Sequence, residues 1–199
     1  MQSYEIQITF TEPLLGTVAL DPGIYGPYIG ANAPDEEMME EELSTIPESE
    51  DKGITGFHRL EDDTPFLYDY HVKGFLKDAC GMLRRVKGTR SAKIRAYKKI
   101  IDGLVFVGER RIPLRLPAGA EVEMLSRPLR ASTAQGERVA LVCSQTCPIG
   151  TEMVFHLEVL GEVDEETLTE WFEYGHLRGF GQWRNASYGR FTYDMQALS

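Results

Sequence analysis

The chain has 199 residues, of which 42% are hydrophobic, and its formal net charge at pH 7 is -10. This length fills one sizeable core or two small ones, and no apolar run approaches the roughly 20 residues that a membrane-spanning helix needs. Residues 1–5 lack the pattern of a secretory leader, and three cysteines cannot all pair with one another. We therefore expect one domain over residues 1–199, a cytoplasmic location and no membrane partner.

The net charge conceals a strong segregation along the sequence. Residues 35–51 contain nine carboxylates and no basic residue, whereas residues 73–99 contain ten basic residues and one acid, Asp78. Because phosphate binding depends on local cations, the basic segment favours a nucleic-acid partner in spite of the acidic total. Two alternative interpretations of residues 73–99 are a solvent-exposed helix face without a partner and a basic surface that the acidic segment 35–51 covers.

The predicted elements begin with a strand in which Tyr4, Ile6, Ile8 and Phe10 alternate with polar residues. Residues 21–56 are rich in proline, glycine and acid and show little periodicity, so we predict a long, mobile, acidic insertion there. Apolar residues at three- and four-residue spacing over 72–86 predict an amphipathic helix with a basic outer face. A second short helical pattern starts at Ser91.

The second half of the chain predicts strands over 104–107, 112–116, 121–125, 138–143 and 152–160, with Pro113 at a sheet edge. Asp164 is placed to cap a helix that Gly175 would end, and Phe191 and Tyr193 alternate in a last strand. The order strand, helix, several strands, helix, strand predicts an α+β, ferredoxin-like core with an antiparallel sheet and two main helices.

A glycine-rich stretch, residues 175–193, lies between the last predicted helix and strand. It is not a dinucleotide fingerprint, because Arg184 occupies the third glycine position and a helix precedes it. Its glycines allow close backbone approach, Arg184 and Arg190 can meet phosphate, and Trp183 or Tyr188 can stack on a base. The alternative is a turn with Trp183 packed into the core.

Other candidate sites have weaker patterns. Cys143, Cys147 and His156 lack a fourth ligand for zinc, so no cofactor or metal site is predicted. His71 follows Asp69 and Tyr70 at the start of the basic helix, where it is a candidate general base or phosphate contact, or a polar helix terminus.

Four segments in order, residues 6–17, 67–79, 148–157 and 175–193, resemble motifs of the RAMP superfamily, the RNA-binding subunits of CRISPR effector complexes. The likeness is greatest to the backbone subunits that polymerise along a guide RNA. The first segment is similar to a strand followed by Thr-Pro-Leu-His-Ile-Gly, and the second to the Gly-Ser-Ser-Leu-Lys-Gly start of a helix. Here Asp69, Tyr70 and His71 stand in place of Gly-Ser-Ser.

The resemblance implies a single-stranded RNA-binding subunit in antiviral defence, with other RAMP-type subunits or further copies of itself as partners. The RNA-binding residues expected on this basis are Lys73, Lys77, Arg84, Arg85, Lys87, Arg90, Lys93, Trp183, Arg184, Tyr188 and Arg190. An alternative is a RAMP-fold protein-interaction or inhibitory module without RNA binding. A third is a metal-dependent ribonuclease, in which Asp21 would hold a divalent metal; whether the chain is an enzyme is left open.

Overall fold

A computed structural model describes residues 1–21, 44, 54–133, 136–161 and 163–198, and for 129–133 and 136–140 it describes the backbone alone. The described strands are β1 (Gln2–Phe10), β2 (Leu14–Leu15), β3 (Val18–Ala19), β4 (Ile54–Gly56), β5 (His58–Arg59), β6 (Pro65–Tyr68), β7 (Val105–Val107), β8 (Arg111–Pro113), β9 (Glu123–Thr133), β10 (Gly136–Cys147), β11 (Glu152–Val159) and β12 (Phe191–Leu198). The longer helices are α1 (Asp69–Leu83), α2 (Tyr97–Leu104) and α3 (Glu165–Arg178).

The central sheet has the strand order β12-β1-β11-β7, and every neighbouring pair is antiparallel. Helix α1 lies between β1 and β7 in the chain, and α3 connects β11 to β12. The chain thus forms two strand–helix–strand units, β1-α1-β7 and β11-α3-β12. In the sheet, the last of these four strands lies beside the first, followed by the third and the second, which is the arrangement of a ferredoxin-like core. The predicted α+β fold class is therefore confirmed.

The alternating pattern of β1 decides which face of this sheet is buried. Tyr4, Ile6, Ile8 and Phe10 are each at most 2% exposed and form one core with the apolar faces of α1 and α3. Full burial of an aliphatic or aromatic side chain stabilises the fold by about 1.5–3 kcal/mol. The opposite face of β1 carries Ser3, Glu5, Gln7 and Thr9 and is open.

Helix α3 begins as predicted but ends later. The Asp164 carboxylate accepts a hydrogen bond from the backbone N–H of Thr167 at 2.9 Å, so Asp164 is the N-cap. The prediction that Gly175 ends the helix is wrong: the helix continues to Arg178, and Gly179 follows with φ 77°. Gly175 is required for packing instead, because a β-carbon there would overlap the Phe191 ring.

Two smaller sheets complete the described structure. One has the order β2-β10-β4-β3, with β9 forming a long antiparallel hairpin with β10. The other has the order β5-β6-β8, which places Pro113 in an edge strand as predicted.

Most of the predicted insertion, residues 21–56, lies outside the described residues, including nearly all of the acidic run 35–51. The described part differs from that prediction at residues 54–56, which form β4 and pair with β3 and β10. Among the helices that the structure describes, none is long and apolar enough to cross a membrane.

Candidate nucleic-acid interface

A cavity of about 590 Å³ lies where the glycine-rich stretch meets the start of α1. Its walls come from three separate parts of the sequence, the β2–β3 region, α1 and the glycine-rich stretch: Thr17, Val18, Ala19, Tyr70, His71, Gly74, Phe75, Phe180, Gly181 and Arg184. The lining is mostly apolar and aromatic with a few polar groups, which is the character of sites for small planar ligands.

Glycines bring the glycine-rich stretch close to its neighbours. Gly181 has φ 71°, and a β-carbon there would lie 2.9 Å from the backbone oxygen of Leu15. The next residue, Gln182, donates hydrogen bonds from Nε2 to the backbone oxygen of Gly16 and to the hydroxyls of Thr55 and Ser144. The cavity wall is therefore fastened to both the β2–β3 region and the β4–β10 pair.

His71 lies in the first turn of α1 rather than before the helix. Its Nδ1–H donates a hydrogen bond to the backbone oxygen of Tyr68 at 3.3 Å, so Nε2 accepts a hydrogen bond from the Thr17 hydroxyl at 3.1 Å. Burial lowers the pKa of His71 to about 4, against a smaller opposing effect of the Tyr68 oxygen. The imidazole is thus neutral at pH 7 and is not a cationic phosphate contact there.

The arginines of the glycine-rich stretch are held by protein groups. Arg184 Nη1 is 2.8 Å from Asp78 Oδ2, and Arg178 Nε reaches the same oxygen at 3.2 Å. Arg190 Nε donates to the backbone oxygen of Leu177 at 3.0 Å. Asp78, the one acid of the predicted basic segment, therefore neutralises much of the positive charge at the cavity.

Trp183 and Tyr188 are brought together by the loop. Their ring centroids are 5.4 Å apart with an interplanar angle of 9°, and Trp183 is 36% exposed. The guanidinium carbon of Arg127, from β9, lies 3.8 Å from the Trp183 ring centroid. The alternative in which Trp183 packs into the core is wrong, and part of its aromatic surface already contacts protein.

The predicted cations of α1 lie on a different flank of the helix. Lys77 forms a salt bridge with Asp102, and Lys73 Nζ is 3.2 Å from the Asp102 backbone oxygen and 5.3 Å from the Phe106 ring centroid. Arg84 lies 5.3 Å from the ring centroid of Tyr97. These contacts join α1 to α2 and β7.

Residues 84–96, which we call the cationic connection, join α1 to α2. The connection is anchored to α3 through Glu170, which accepts hydrogen bonds from the backbone N–H groups of Arg90 and Ser91 and from the Ser91 hydroxyl. The Arg90 side chain forms salt bridges with Asp164 and Glu166. Arg90 is therefore a structural residue in this chain as well as a predicted RNA contact.

The other cations in and just after the connection are exposed to solvent. Within the part of the chain that the structure describes, these have no salt-bridge partner: Arg85, Lys87, Lys93, Arg95, Lys98 and Lys99. Three of the predicted RNA-binding residues, Arg85, Lys87 and Lys93, are thus exposed in the same stretch of chain, 85–99, as three further cations. Such a cluster attracts polyanions.

The open face of the central sheet has the opposite charge. None of its four strands contains Lys or Arg, and this face carries Glu5, Glu152, Glu158 and Asp194. His156 lies between two carboxylates, with Nδ1 2.5 Å from Glu109 and Nε2 3.4 Å from Glu5. The hydrogen bond to Glu109 is the main reason that the pKa of His156 is raised.

The structure separates the residues of the weakest predicted sites. His156 lies in the central sheet, whereas Cys143 contacts Ser126 at 3.2 Å and Cys147 is buried in the neighbouring sheet. Among the described residues, no group of three His, Cys, Asp or Glu side chains is arranged to hold a metal ion. Asp21 is the first residue of the predicted insertion, and its catalytic role stays a prediction.

Sequence reasoning missed Arg127, Thr17 and Gly74. Gly74 belongs to the Lys-Gly pair of the second motif, which was a usable signal. Arg127 is buried against Trp183, which is far away in the sequence. The residues next to Arg127 in the sequence therefore give no indication that it is buried.

Comparison with known proteins identifies the fold. No family model and no curated protein matches the sequence. A chain in the cryo-EM structure of the type III-B Cmr-beta bound to cognate target RNA resembles it over 100% of its length, with a TM-score of 0.57 and 11% identity. The match covers 61% of that chain, so this protein spans less than two thirds of that neighbour's length.

A second similar structure is a type IV-B CRISPR complex, with a TM-score of 0.47 and 11% identity over 98% of this chain and 90% of that chain. At 11% identity the likeness to the type III-B chain is one of fold. The fold is therefore shared with a chain of an RNA-bound CRISPR structure, while site chemistry has to be argued from this chain's own residues.

Proposed function

We propose that the protein binds single-stranded RNA as a RAMP-like subunit of a CRISPR-type effector complex. The observation that carries the proposal is the cavity: the second and fourth of the RAMP-like segments, which are far apart in the sequence, both line it. The fold shared with a chain of the type III-B structure supports the same conclusion.

In this proposal the two binding regions have different tasks. The cationic connection, with Arg85, Lys87 and Lys93, attracts the RNA backbone, and the cavity takes one nucleotide against Phe75, Phe180 and Tyr70. Backbone attraction is independent of sequence, whereas an aromatic cavity adds stacking energy of about 1–3 kcal/mol per base. Lys73, Lys77, Arg84, Arg90, Arg184 and Arg190 would then bind RNA only by exchanging or sharing their present protein contacts.

The distance between these regions fits an extended strand. Tyr70 and Arg85 are fifteen positions apart along and just beyond α1, which corresponds to about 20 Å at a rise of 1.5 Å per residue. A strand of several nucleotides spans this length. We propose further that the protein is cytoplasmic and that residues 1–199 form one domain. Other RAMP-type subunits or further copies of the chain would bind the neighbouring segments of the same RNA.

Filling the cavity tests this assignment. Gly74 is exposed within α1, and a β-carbon there meets no atom within 4 Å, so Gly74→Leu adds a side chain at the cavity wall without a clash in the free protein. Because leucine also favours a helix over glycine by roughly 1 kcal/mol, the variant should be at least as stable as the wild type. Its affinity for a roughly 20-nucleotide RNA should fall about tenfold, the loss of one stacked base.

Gly103→Leu is the matched control. Gly103 is exposed within α2, and a β-carbon there also meets no atom within 4 Å, but it does not line the cavity. Fluorescence anisotropy at several salt concentrations measures both variants. Absence of RNA binding by the wild-type chain at low salt, with or without residues 35–51, rules out the proposed function; equal affinity of both variants rules out the cavity as its site.

The acidic open face of the sheet favours a second candidate, a protein-interaction module that retains the fold without binding RNA. In this case the carboxylates Glu5, Glu158 and Asp194 would face a basic protein, and the ion pairs at Asp78 would be permanent. Affinity purification of the chain distinguishes the two functions. A protein partner retained after complete ribonuclease treatment, with no nucleic acid in the untreated sample, supports the second.

A further inference from the structure

The glycine-rich stretch covers a buried arginine on the β9–β10 hairpin. Arg127 is 7% exposed, and its backbone pairs with Val142 across the hairpin. Its guanidinium carbon lies 3.8 Å from the Trp183 ring centroid. Arg127, Trp183 and Tyr188 do not line the cavity, so they form a separate group.

The Arg127 side chain lacks acceptors for its buried nitrogens. Nε and Nη1 are inaccessible to solvent, and neither has a hydrogen-bond partner among the residues that the structure describes. These two atoms carry three N–H bonds, and a guanidinium keeps its charge at any physiological pH. A buried charge without acceptors destabilises a fold, and the cation–π contact with Trp183 offsets this only in part.

The surroundings of Arg127 include a partly exposed aromatic pair. Trp183 is 36% exposed and is parallel to Tyr188. Gln182, directly before Trp183, is hydrogen-bonded to Ser144 on β10, so the loop and the hairpin are held against each other here. A cation that lacks acceptors and an adjacent aromatic pair match the two halves of a nucleotide, its phosphate and its base.

We propose that Arg127 binds a backbone phosphate of the RNA, with the Trp183–Tyr188 pair beside it as a stacking surface, in a subsite separate from the cavity. The identity of the ligand rests on the proposed function. Trp183 and Ser187 have φ values of 55° and 72°, a backbone conformation that is unfavourable for residues other than glycine. A shift of Trp183 that relaxes this conformation would uncover Nε and Nη1 for the phosphate.

Arg127→Met tests the proposal, because methionine keeps most of the volume and removes the charge. The variant should be at least as stable as the wild type in urea unfolding without ligand, since a buried charge without acceptors is gone. Its RNA affinity should fall about tenfold to a hundredfold, as expected for loss of a hydrogen-bonded charged contact. The slope of log affinity against log salt should become shallower by about 0.7, the value for one phosphate on a single strand.

Arg115→Met is the control, because Arg115 is exposed and its replacement removes the same formal charge; its affinity should stay within about twofold of the wild type. A loss of stability in Arg127→Met would overturn the proposal by showing that the guanidinium serves to hold Trp183. Arg127→Lys, which keeps a charge and the cation–π contact, provides a folded variant in that event. Full RNA affinity in both Arg127 variants would also overturn it.

Two further measurements identify the ligand. Arg127→Met is measured with RNAs of different sequence. If its affinity loss depends on the RNA sequence and its salt slope equals that of the wild type, Arg127 contacts a base, and the phosphate assignment is overturned. Thermal unfolding with inorganic phosphate or pyrophosphate separates a small-anion site: stabilisation of the wild type that RNA does not compete away would overturn RNA as the ligand. If Arg127→Met and wild type bind RNA equally, this inference fails while the proposed function stands.

Discussion

The two ends of α1 present opposite kinds of surface. At the amino end, Tyr70, His71 and Gly74 line a cavity in which the imidazole is neutral and Arg184 is paired with Asp78. Beyond the carboxyl end, the cationic connection exposes cations with no salt-bridge partner among the described residues. One helix thus joins a mostly apolar cavity to an exposed cationic stretch, so a chain with a net charge of -10 still has a locally basic surface.

The largest expected effect comes from removing the electrostatic region. Simultaneous replacement of Arg85, Lys87, Lys93 and Arg95 by Gln should lower RNA affinity roughly a hundredfold at low salt and make the salt slope shallower by about 3, since each phosphate contact on a single strand contributes about 0.7. Anisotropy titrations at four or more salt concentrations measure both quantities.

These four side chains are exposed, so the unfolding transition in urea should be unchanged and serves as the control. An affinity loss with no change in slope would contradict a phosphate-binding role for the cationic connection. Of the two ends of α1, only the cavity would then remain as a proposed RNA-binding region.

The amino end of α1 should instead respond to acid. Burial lowers the pKa of His71 to about 4 and that of His58 to about 3, below the usual histidine pKa of about 6.5. The unfolded chain therefore binds more protons as pH falls below 6.5, and stability is lost towards pH 4. For His71 alone the loss is about 2–3 kcal/mol, because one pKa unit corresponds to about 1.4 kcal/mol.

Urea unfolding at pH values from 7 down to 4 measures this loss. His71→Gln should lack the part of the loss that belongs to His71 and keep the parts that belong to other groups, whereas His176→Gln, at a half-exposed histidine of α3, controls for removal of an imidazole. An identical pH profile for wild type and His71→Gln would show that His71 is not buried as a neutral group.

The smallest effect is expected from Asp78→Asn, which removes the carboxylate shared by Arg178 and Arg184. The Arg184 guanidinium then becomes available at the cavity, while Arg178 keeps its hydrogen bond to Asn185. RNA affinity should therefore rise about threefold and the salt slope should steepen by up to about 0.7. The cost in stability should stay below about 1 kcal/mol, because these pairs are partly exposed. A lower affinity would mean that Asp78 positions Arg184 for binding, and the difference between the two ends would then be one of arrangement rather than charge.

Local pattern was sufficient for the core of the fold. The alternation in β1 and the N-cap at Asp164 depend on neighbours within a few residues, and both were predicted correctly. Gly175 was wrongly predicted to end the helix. A glycine is needed there because a β-carbon would overlap Phe191 in the next strand, and the sequence alone does not distinguish such a glycine from one that ends a helix. Element type was therefore predictable where the cause is local.

The candidate site was predictable only in outline. The resemblance brought the glycine-rich stretch and the start of α1 into the same argument, but the pairing of Asp78 with Arg178 and Arg184 joins residues 100 and 106 positions apart. Whether a cation is paired or exposed depends on such long-range contacts, so sequence treated Arg184 and Lys87 alike. The structure distinguishes them.

The pairing of β3 with β4 has a consequence for how the molecule can change. Val18 lies opposite Gly56 and Ala19 opposite Thr55, so two backbone segments that are far apart in the sequence lie side by side. A β-carbon on Gly16 would overlap the Gly56 backbone, which shows how closely these two segments approach. Because the free-energy cost of joining two points of a chain grows only slowly with the number of residues between them, a change in the length of the sequence between β3 and β4 should leave the cavity in place.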